Sequence, residues 1–276
     1  SSLTFGDEGY YLNYQASGVG TASSSTIGAD VSGNTNHWTS AGLVTTDQLN
    51  DSPTNNFPRF NRLRARAPTL FEGNLLTETS TNTVTRVIDT SFMPYSGKWY
   101  VEVKATEAGS GENGRFGLQP SQGGEALGNT DDNDTWEGIN VGFGGSDTNL
   151  QKLDTGSGST IFSDFASGNT AMLAIDLDND KMWIGKEGTW YNNNNASTTL
   201  SSSNHDIALP TVSLGWVFGL GMTRNGSNNI TFEYNWGNPA HAISSGNSDA
   251  DDHGNFEFAV PSGFFAVNSK NLAEYG

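Results

Sequence analysis

Two acidic loops of this 276-residue chain carry the oxygen ligands that a calcium ion needs. Asp131, Asp132 and Asp134 form one group, and Asp249 and Asp251 form a second. Hard oxygen donors a few residues apart suit Ca²⁺, and clustered carboxylates repel one another without a cation. The alternative, which the sequence favours, is a pair of solvated surface loops. Calcium is therefore the one candidate cofactor, and no other is predicted.

A third acidic set follows the order of a calcium-binding loop. Asp176, Asp178, Asp180 and Glu187 occupy ligand positions of that pattern, but Lys181 stands where the pattern needs glycine. The intervening residues alternate as strand residues do, which extends the chain rather than wrapping it around an ion. We therefore predict that these aspartates belong to turns.

The carboxylates and histidines lack the spacing of a catalytic site. Glycoside hydrolysis needs two carboxyl groups facing one side, whereas Glu102 and Glu107 are odd-spaced on one strand and Glu233 stands alone on another. Four scattered histidines are expected at the surface: His37, His205, His241 and His253. The chain has no cysteine and no G-x-S-x-G. We predict no catalytic residues and no enzyme activity.

A glycine-rich stretch, residues 109–114, has the form G-x-G-x-x-G. A dinucleotide site needs a helix after this sequence, so that amide groups point at the pyrophosphate. Residues 115–118 instead have the pattern of a strand. We predict a hairpin loop.

The candidate ligand-binding residues are the loop aromatics Trp136, Trp190 and Tyr191, which neighbour Asp, Asn and Gly. Such a mixture stacks on sugar rings and forms hydrogen bonds with their hydroxyl groups. The alternative, that these rings cap the ends of a sandwich and are buried, stays open. A second candidate surface is the glycine-rich row of residues 213–221, where another sheet, a subunit or a ligand can approach closely.

Alternation of bulky and small or polar residues dominates the chain and predicts the strands that position these groups. The clearest segments are residues 99–105, 173–177, 212–222 and 230–236, and the strand at 173–177 is predicted to turn at residues 178–180 and return through residues 182–184. Asn225 and Gly226 between the last two predict a tight hairpin turn. Short strands punctuated by Gly, Asn and Asp predict an all-β fold, an antiparallel β-sandwich.

Composition limits the partners. Thirteen basic against 30 acidic residues give a net charge of −17, which repels phosphate backbones, so no nucleic acid partner is expected. No apolar run approaches the length of a membrane span, and no leader pattern opens the chain. We predict no membrane insertion.

The first 60 residues differ from the rest. Tyr10, Leu12 and Tyr14 predict one strand, followed by an irregular Ser/Thr/Gly/Asn-rich stretch with Trp38 and Leu43 as its anchors. Two prolines in residues 51–58 predict an extended linker. The predicted organisation is an irregular N-terminal extension over residues 1–60, with a strand and a linker, and a sandwich over residues 61–276.

Several segments resemble the SPRY family. Residues 96–103, SGKWYVEV, are similar to the strand SGKWYWEV that opens SPRY-like domains, and residues 174–188 resemble the family's later hairpin, ALDLDNGTLTFYKNG. Residues 30–39, 51–57 and 260–268 are similar, in the same order, to SPRY-bearing structural proteins of marine tailed bacteriophages.

This resemblance implies a concanavalin-like SPRY jelly roll, with residues 1–60 as the tail of a preceding lectin-like domain. It implies a virion surface protein in a tail fibre, an appendage or a capsid decoration, and hence an extracellular location. The expected partners are other virion proteins, further copies of the chain and a host surface glycan. The alternative is a β-sandwich module that binds or degrades polysaccharide.

Overall fold

The computed structural model describes residues 3–47, 52, 54–63, 69–79, 84–87, 90–92, 94–107, 113–120, 139–144, 147–154, 157–162, 165–192, 195–197, 199–200, 207–209, 215–223 and 229–276. The chain divides into two compact units, Ser1–Leu49 and Asn50–Gly276. Residues 50–60 therefore lie with the second unit, where Phe57 and Phe60 are buried. Within the described ranges, no helix is long and apolar enough to cross a membrane.

The first unit is irregular and is organised around a buried carboxylate. Asp30 accepts hydrogen bonds from the backbone N–H groups of Tyr11, Ser32 and Asn36 at 2.8, 2.8 and 2.9 Å. Burial opposes ionisation of this group, but these hydrogen bonds together hold the pKa of Asp30 well below its ordinary value. A segment poor in bulky apolar residues is thus held together by polar contacts.

The predicted anchors of this unit are wrong. The side chains of Trp38 and Leu43 are 50% and 43% exposed, whereas Asp30 is buried. The ring of Trp38 contacts the ring of Tyr10, which is itself only partly buried, and the two ring centroids lie 4.8 Å apart. The size and hydrophobicity of Trp38 suggested that it would be the buried residue of this unit. The loops instead pack around Asp30, because its carboxylate accepts several backbone N–H groups.

The second unit is built from short strands. They are β1 (Thr69–Phe71), β2 (Leu76–Thr79), β3 (Val84–Val87), β4 (Lys98–Glu107), β5 (Asn113–Pro120), β6 (Ile139–Gly144), β7 (Asp147–Asp154), β8 (Ser157–Phe162), β9 (Thr170–Asp176), β10 (Lys181–Lys186), β11 (Thr189–Asn192), β12 (Asn195–Ser197), β13 (Ile207–Ala208), β14 (Trp216–Thr223), β15 (Ile230–Asn235) and β16 (Phe265–Ala266). Short 3-10 helices span Thr45–Asp47 and Glu72–Asn74, and one α-helix, α1, spans Ser269–Tyr275.

These strands form two sheets. The large sheet runs β1-β2-β15-β4-β9-β10-β11-β12, with β13 beside β10 and β16 beside β4, and the small sheet runs β3-β14-β5-β6-β7-β8. The pairings are antiparallel except that of β16 with β4. Phe116 of the small sheet and Phe232 of the large sheet meet with ring centroids 5.5 Å apart. The predicted antiparallel all-β sandwich is confirmed.

Two predicted hairpins are wrong. β14 pairs with β3 and β5 in the small sheet, whereas β15 pairs with β2 and β4 in the large sheet. β4 and β5 likewise lie in different sheets. The turn sequences 224–227 and 109–112 themselves fall outside the described residues. Alternation shows which side chains of a strand share a face. It does not show to which sheet the strand belongs, because strands of both sheets turn an apolar face to the core between them.

The large sheet is buried on both faces. Its face towards the small sheet carries Val101, Val103, Phe232 and Tyr234. On the opposite face, Tyr100, Glu102 and Asn235 are also buried, beneath the C-terminal segment, residues 237–268. This second layer of core contains Phe57, Tyr100, Met172, Ala174, Trp183, Trp190, Phe256, Phe264 and Ala266.

Candidate functional site

The turn between β9 and β10 fixes one end of a cleft. The carboxylate of Asp176 accepts the backbone N–H of Asn179 at 3.1 Å and its side-chain amide at 2.9 and 3.0 Å. Asp178 accepts the N–H of Gly97 at 2.8 Å, and Glu187 accepts the N–H of Thr170 at 2.6 Å. Asp180 has a φ of 52°, as a turn requires. Asp176 and Asp178 therefore accept hydrogen bonds at this turn, as the sequence predicts for turn residues.

A row of charged side chains crosses three neighbouring strands at this end. Asp176 on β9 lies opposite Lys98 on β4 and opposite Lys181 on β10. Directly opposed side chains on adjacent strands have their Cβ atoms about 5 Å apart. The Lys98 Nζ atom lies 3.2 Å from the Asp176 Oδ2 atom, and the Asp176 side chain is only 5% exposed.

Two tryptophans continue the same face of the sheet. Trp183 is on β10 and Trp190 on β11, where Trp190 lies opposite Gly185. A Cβ atom at Gly185 would lie 2.8 Å from the Thr189 carbonyl oxygen and 3.1 Å from the Trp190 ring. The glycine therefore provides the space in which the indole of Trp190 lies against the sheet.

The C-terminal segment supplies the opposite wall of the cleft. Phe264 packs edge-on against Trp183 with ring centroids 5.9 Å apart, and its N–H donates to the Pro261 carbonyl at 3.0 Å. The cleft has a volume of about 580 Å³. Its described lining consists of Lys98, Asp176, Asn179, Lys181, Trp183, Trp190, Thr199, Leu200, Ala259, Val260, Pro261, Ser262 and Phe264. One end is thus polar and charged, and the other is aromatic and aliphatic.

Of the predicted ligand-binding residues, Trp190 borders this cleft, but its ring is buried in the second core layer, as the alternative interpretation expected. Tyr191 follows it on β11 and so points to the opposite face of the sheet. Trp136 lies outside the described residues. The sequence analysis did not single out Trp183, Lys98 or the wall at residues 259–264. Lys98 and Trp183 were visible as members of alternating strands, but nothing local showed that a distant segment faces them.

The second candidate surface, the glycine row of residues 213–221, lies partly on β14. At Gly215, which has a φ of 76°, a Cβ atom would meet the Tyr95 ring at 2.3 Å. The group that approaches closely at this position is therefore a side chain of the same chain. Residues 213 and 214 are outside the described part of the structure.

Glu102 is the most deeply buried carboxylate of the second core layer. It accepts hydrogen bonds from the N–H groups of Glu257 and Phe258, from the Tyr100 hydroxyl and from the Asn235 amide. Burial raises the pKa of Glu102, although these hydrogen bonds act in the opposite direction. A carboxylate whose oxygens are occupied in this way cannot contact a ligand.

A second acidic group surrounds His241. Its Nδ1 atom lies 2.7 Å from the Glu233 Oε2 atom, and both side chains are largely covered. The expectation that His241 is a surface residue is wrong. Close by, Ser244 donates from both its backbone N–H and its hydroxyl to the Glu257 carboxylate, and these bonds lower the pKa of Glu257. Neither Glu233 nor Glu257 lines the cleft.

The candidate calcium ligands Asp249 and Asp251 instead accept hydrogen bonds that hold the loop at residues 249–253 against neighbouring parts of the C-terminal region. Asp249 accepts the N–H groups of Asp251, His253 and Ala266 and the amide of Asn271, at 2.7 to 3.0 Å. Asp251 accepts the Tyr275 hydroxyl, which raises the pKa of that tyrosine to about 12.

A cation at these two aspartates would have to displace their hydrogen bonds. Among the described residues, no three His, Asp or Glu side chains are grouped to hold a metal ion. Asp131, Asp132 and Asp134 lie outside those residues, so the choice between a calcium site and the favoured solvated loop is untested there.

No protein-family model and no curated protein matches the chain. Among solved structures, the crystal structure of the SPRY domain of human HERC1 is similar, with a TM-score of 0.44 and 12% sequence identity over 63% of this chain and 96% of that chain. The crystal structure of a human SPRY domain has a TM-score of 0.41 and 13% identity, covering 65% of this chain and 99% of that one.

Proposed function

We propose that this protein is a non-enzymatic binding module that recognises carbohydrate in the cleft between β9–β11 and the C-terminal segment. The observation that supports this most directly is the pairing of two indoles with a polar end in one cavity of about 580 Å³. That volume lies in the range of small-ligand sites. A sugar ring presents an apolar face of C–H groups, which packs on an indole, and a rim of hydroxyl groups, which needs hydrogen bonds.

The side chains at the cleft supply both kinds of contact. Trp183 and Trp190 are 5% and 7% exposed, so the C–H groups of a sugar would contact the edge of each indole and not its ring face. Asn179 and Ser262 are exposed at the rim. The Asn179 amide nitrogen donates to Asp176, so the groups offered to a ligand are the Asn179 side-chain oxygen and the Ser262 hydroxyl. Both walls are parts of one folded unit, which reduces the entropy lost when a ligand binds.

Binding is favoured over hydrolysis by the carboxylates of the cleft. Hydrolysis of a glycosidic bond needs a general acid and a second carboxylate, separated by several ångströms. The described lining contains one carboxylate, Asp176, and that group is engaged by Lys98 and Asn179. The alternative, a polysaccharide-degrading module, would need a second acid from outside the described lining.

A glycan array with the purified chain tests the proposal. We expect binding to a restricted set of glycans, weakened at least fivefold by Asn179→Ala or Ser262→Ala, since each removes one rim hydrogen bond of about 1 kcal/mol. Trp190→Phe keeps an aromatic ring in the core and should also weaken binding. Trp38→Ala, which removes an exposed tryptophan outside the cleft, is the matched control. Binding that is insensitive to all three cleft variants, or release of sugar from the glycan, would contradict the proposal.

We further propose that the module acts on a virion surface, in a tail fibre, an appendage or a capsid decoration, together with other virion proteins and further copies of itself. The support is the resemblance of residues 96–103 and 174–188 to SPRY-like segments and of residues 30–39, 51–57 and 260–268 to structural proteins of tailed bacteriophages. The test is electron microscopy of particles labelled with an antibody against this chain. Label at regular positions on the particle is expected; an absence of label on intact particles that contain the chain would contradict this role.

A further inference from the structure

We infer that copies of this protein associate head to tail through two different exposed turns. The turn at residues 5–11 of one copy, here called the acidic turn, binds the turn at residues 61–63 of a second copy, here called the arginine turn. This inference deepens the proposed assembly with further copies of the chain and rests on that part of the proposed function.

The first argument is the distribution of charge along the sequence. Residues 1–49 contain four acidic residues and no Lys or Arg, whereas residues 52–71 contain four arginines and no acidic residue. Those four arginines belong to a total of 13 basic residues in a chain of net charge −17. Two copies bring opposite charges together when these different parts meet, and such a contact between unlike surfaces is heterologous.

The charge that the first unit presents to solvent is concentrated at the acidic turn. Asp7 and Glu8 lie side by side at its tip and are both exposed. The other two acids of the unit are engaged within it, because Asp30 is buried and Asp47 accepts the backbone N–H of Val44 at 2.8 Å. A cationic partner of this unit would therefore be attracted to the acidic turn.

The acidic turn is also held in one conformation and carries apolar surface. The side-chain amides of Asn34 and Asn36 donate to carbonyl oxygens of the turn at 2.7 to 3.0 Å. The rings of Phe5 and Tyr11 at its two ends are nearly parallel, with centroids 6.3 Å apart. Exposed Val31 adjoins them, since its N–H donates to the Tyr11 carbonyl at 2.8 Å. A surface ordered before binding loses little entropy when a partner binds.

The arginine turn presents the complementary groups. The N–H of Leu63 donates to the Asn61 side-chain oxygen at 3.0 Å, which closes the turn. Arg62 is exposed at its tip, and Leu63 is 96% exposed. Arg59 is held against the second unit, where it donates to the Gly73 carbonyl at 2.8 Å. Two further arginines follow in the sequence, outside the described residues.

The chemistry of arginine matches the acidic turn at both of its features. A guanidinium group forms paired hydrogen bonds with a carboxylate and also stacks on an aromatic ring, whereas a lysine ammonium group offers a point charge. Arg62 can therefore contact Glu8 and Tyr11 together, while Leu63 packs against Val31. Each copy carries one turn of each kind, so the contact continues from copy to copy and builds a ring or a fibre.

Sedimentation velocity of the purified chain, from about 1 to 100 µM, tests this inference. We expect oligomers that form with rising concentration and dissociate as salt is added, since the contact is partly ionic. Glu8→Lys, which sets two cations against each other, and Arg62→Ser, which removes one, should each weaken association about tenfold. Glu274→Lys and Lys270→Ser, at exposed positions of α1, make matched changes of charge and should leave association unchanged.

A mixture of the two variants tests whether the surfaces are unlike. Glu8→Lys retains the arginine turn and Arg62→Ser retains the acidic turn, so one intact contact joins each pair. The mixture should form one-to-one dimers and nothing larger. Circular dichroism checks the fold of each variant, and Asp7→Lys or Leu63→Ser replaces a variant that fails to fold.

Three results would each overturn the inference. They are a monomer at every concentration, oligomers that neither variant weakens, and variants that dissociate alone but do not pair in the mixture, which would indicate a contact between like surfaces. Carbohydrate recognition is measured separately, with the cleft variants on the glycan array. Antibody label on particles, with a monomer in solution, would leave the virion role standing and remove this contact. Head-to-tail oligomers of a chain that intact particles do not display would contradict the virion role and leave the contact standing.

Discussion

Glu102, in the middle of β4, accepts a hydrogen bond at 2.8 Å from the backbone N–H of Phe258, 156 residues further along the chain. A carboxylate inside the sheet thereby holds the irregular C-terminal segment against it. The same segment forms the second wall of the cleft at residues 259–264. The geometry of the candidate binding site thus depends on a buried group that no ligand touches.

Replacing this carboxylate should loosen the segment. We expect Glu102→Gln to lower the free energy of unfolding by about 2 kcal/mol, because the new amide N–H₂ faces hydrogen-bond donors and leaves at least one of them unsatisfied. Urea denaturation followed by tryptophan fluorescence would measure the change. Asp252→Asn removes a negative charge from the same segment at an exposed position and should change stability by less than about 0.5 kcal/mol. Equal stability of the two variants would contradict this role of Glu102.

The same residue predicts a pH dependence. Because burial raises the pKa of Glu102, the folded state holds the proton more tightly than the unfolded state does. Its contribution to stability is complete below the ordinary glutamate pKa of about 4.3 and is lost as the pH rises through the higher folded value. The free energy of unfolding of both the natural chain and Glu102→Gln would be measured from about pH 4 to pH 8. The difference between the two at each pH isolates the contribution of the Glu102 carboxyl group. A difference that grows with rising pH would have the wrong sign for this explanation.

The stability of the first unit should change with pH in the opposite direction. The pKa of Asp30 is lowered by its backbone hydrogen bonds, so its contribution to stability is lost as the pH falls below about 4. Asp30→Asn should have a similar effect at neutral pH, with hydrogen exchange at Tyr11, Ser32 and Asn36 accelerated about tenfold, since their acceptor is weakened. Asp7→Asn, at an exposed position of the same unit, serves as the control. Unchanged exchange at these three amides would show that Asp30 does not organise the unit.

Gly185 should be required for the position of Trp190. Gly185→Ala places a methyl group against the Met172 side chain, 2.8 Å from the Thr189 carbonyl oxygen and 3.1 Å from the indole, so Met172 and the strand that carries Trp190 must shift. We expect a loss of about 1–3 kcal/mol of stability, together with weaker glycan binding. Gly6→Ala, where nothing lies within 4 Å, is the matched control for a change of backbone freedom alone. Chemical denaturation and the array measurements report the two effects separately.

Local pattern was sufficient for β4, β15 and the turn between β9 and β10 in the second unit. The alternation of residues 99–105 and 230–236 corresponds to β4 and β15, and the turn at Asp178–Asp180 follows from residues that favour turn conformations. The pairing of β14 and β15 with their neighbouring strands could not be predicted from local pattern. β14 and β15 have matching apolar faces and a turn sequence between them, yet they belong to different sheets. An apolar face indicates that a strand packs on a core, not on which side of the core it lies.

The sequence by itself therefore determined the β class of the fold and which side chains share a face, because a strand's side chains alternate whatever surrounds them. It also marked Trp190 as a candidate sugar-binding residue. Only the tertiary structure decided that the polar face carrying Glu102 and Asn235 is buried, and that Trp183, Trp190 and the Lys98–Asp176–Lys181 row share one cleft. The hydrogen bonds of Glu102 alone join residues 133 and 156 positions apart in the chain. These relationships depend on the position of the C-terminal segment, which is irregular and has no hydrophobic periodicity. Long-range burial and hydrogen bonding determine that position, and local sequence pattern does not.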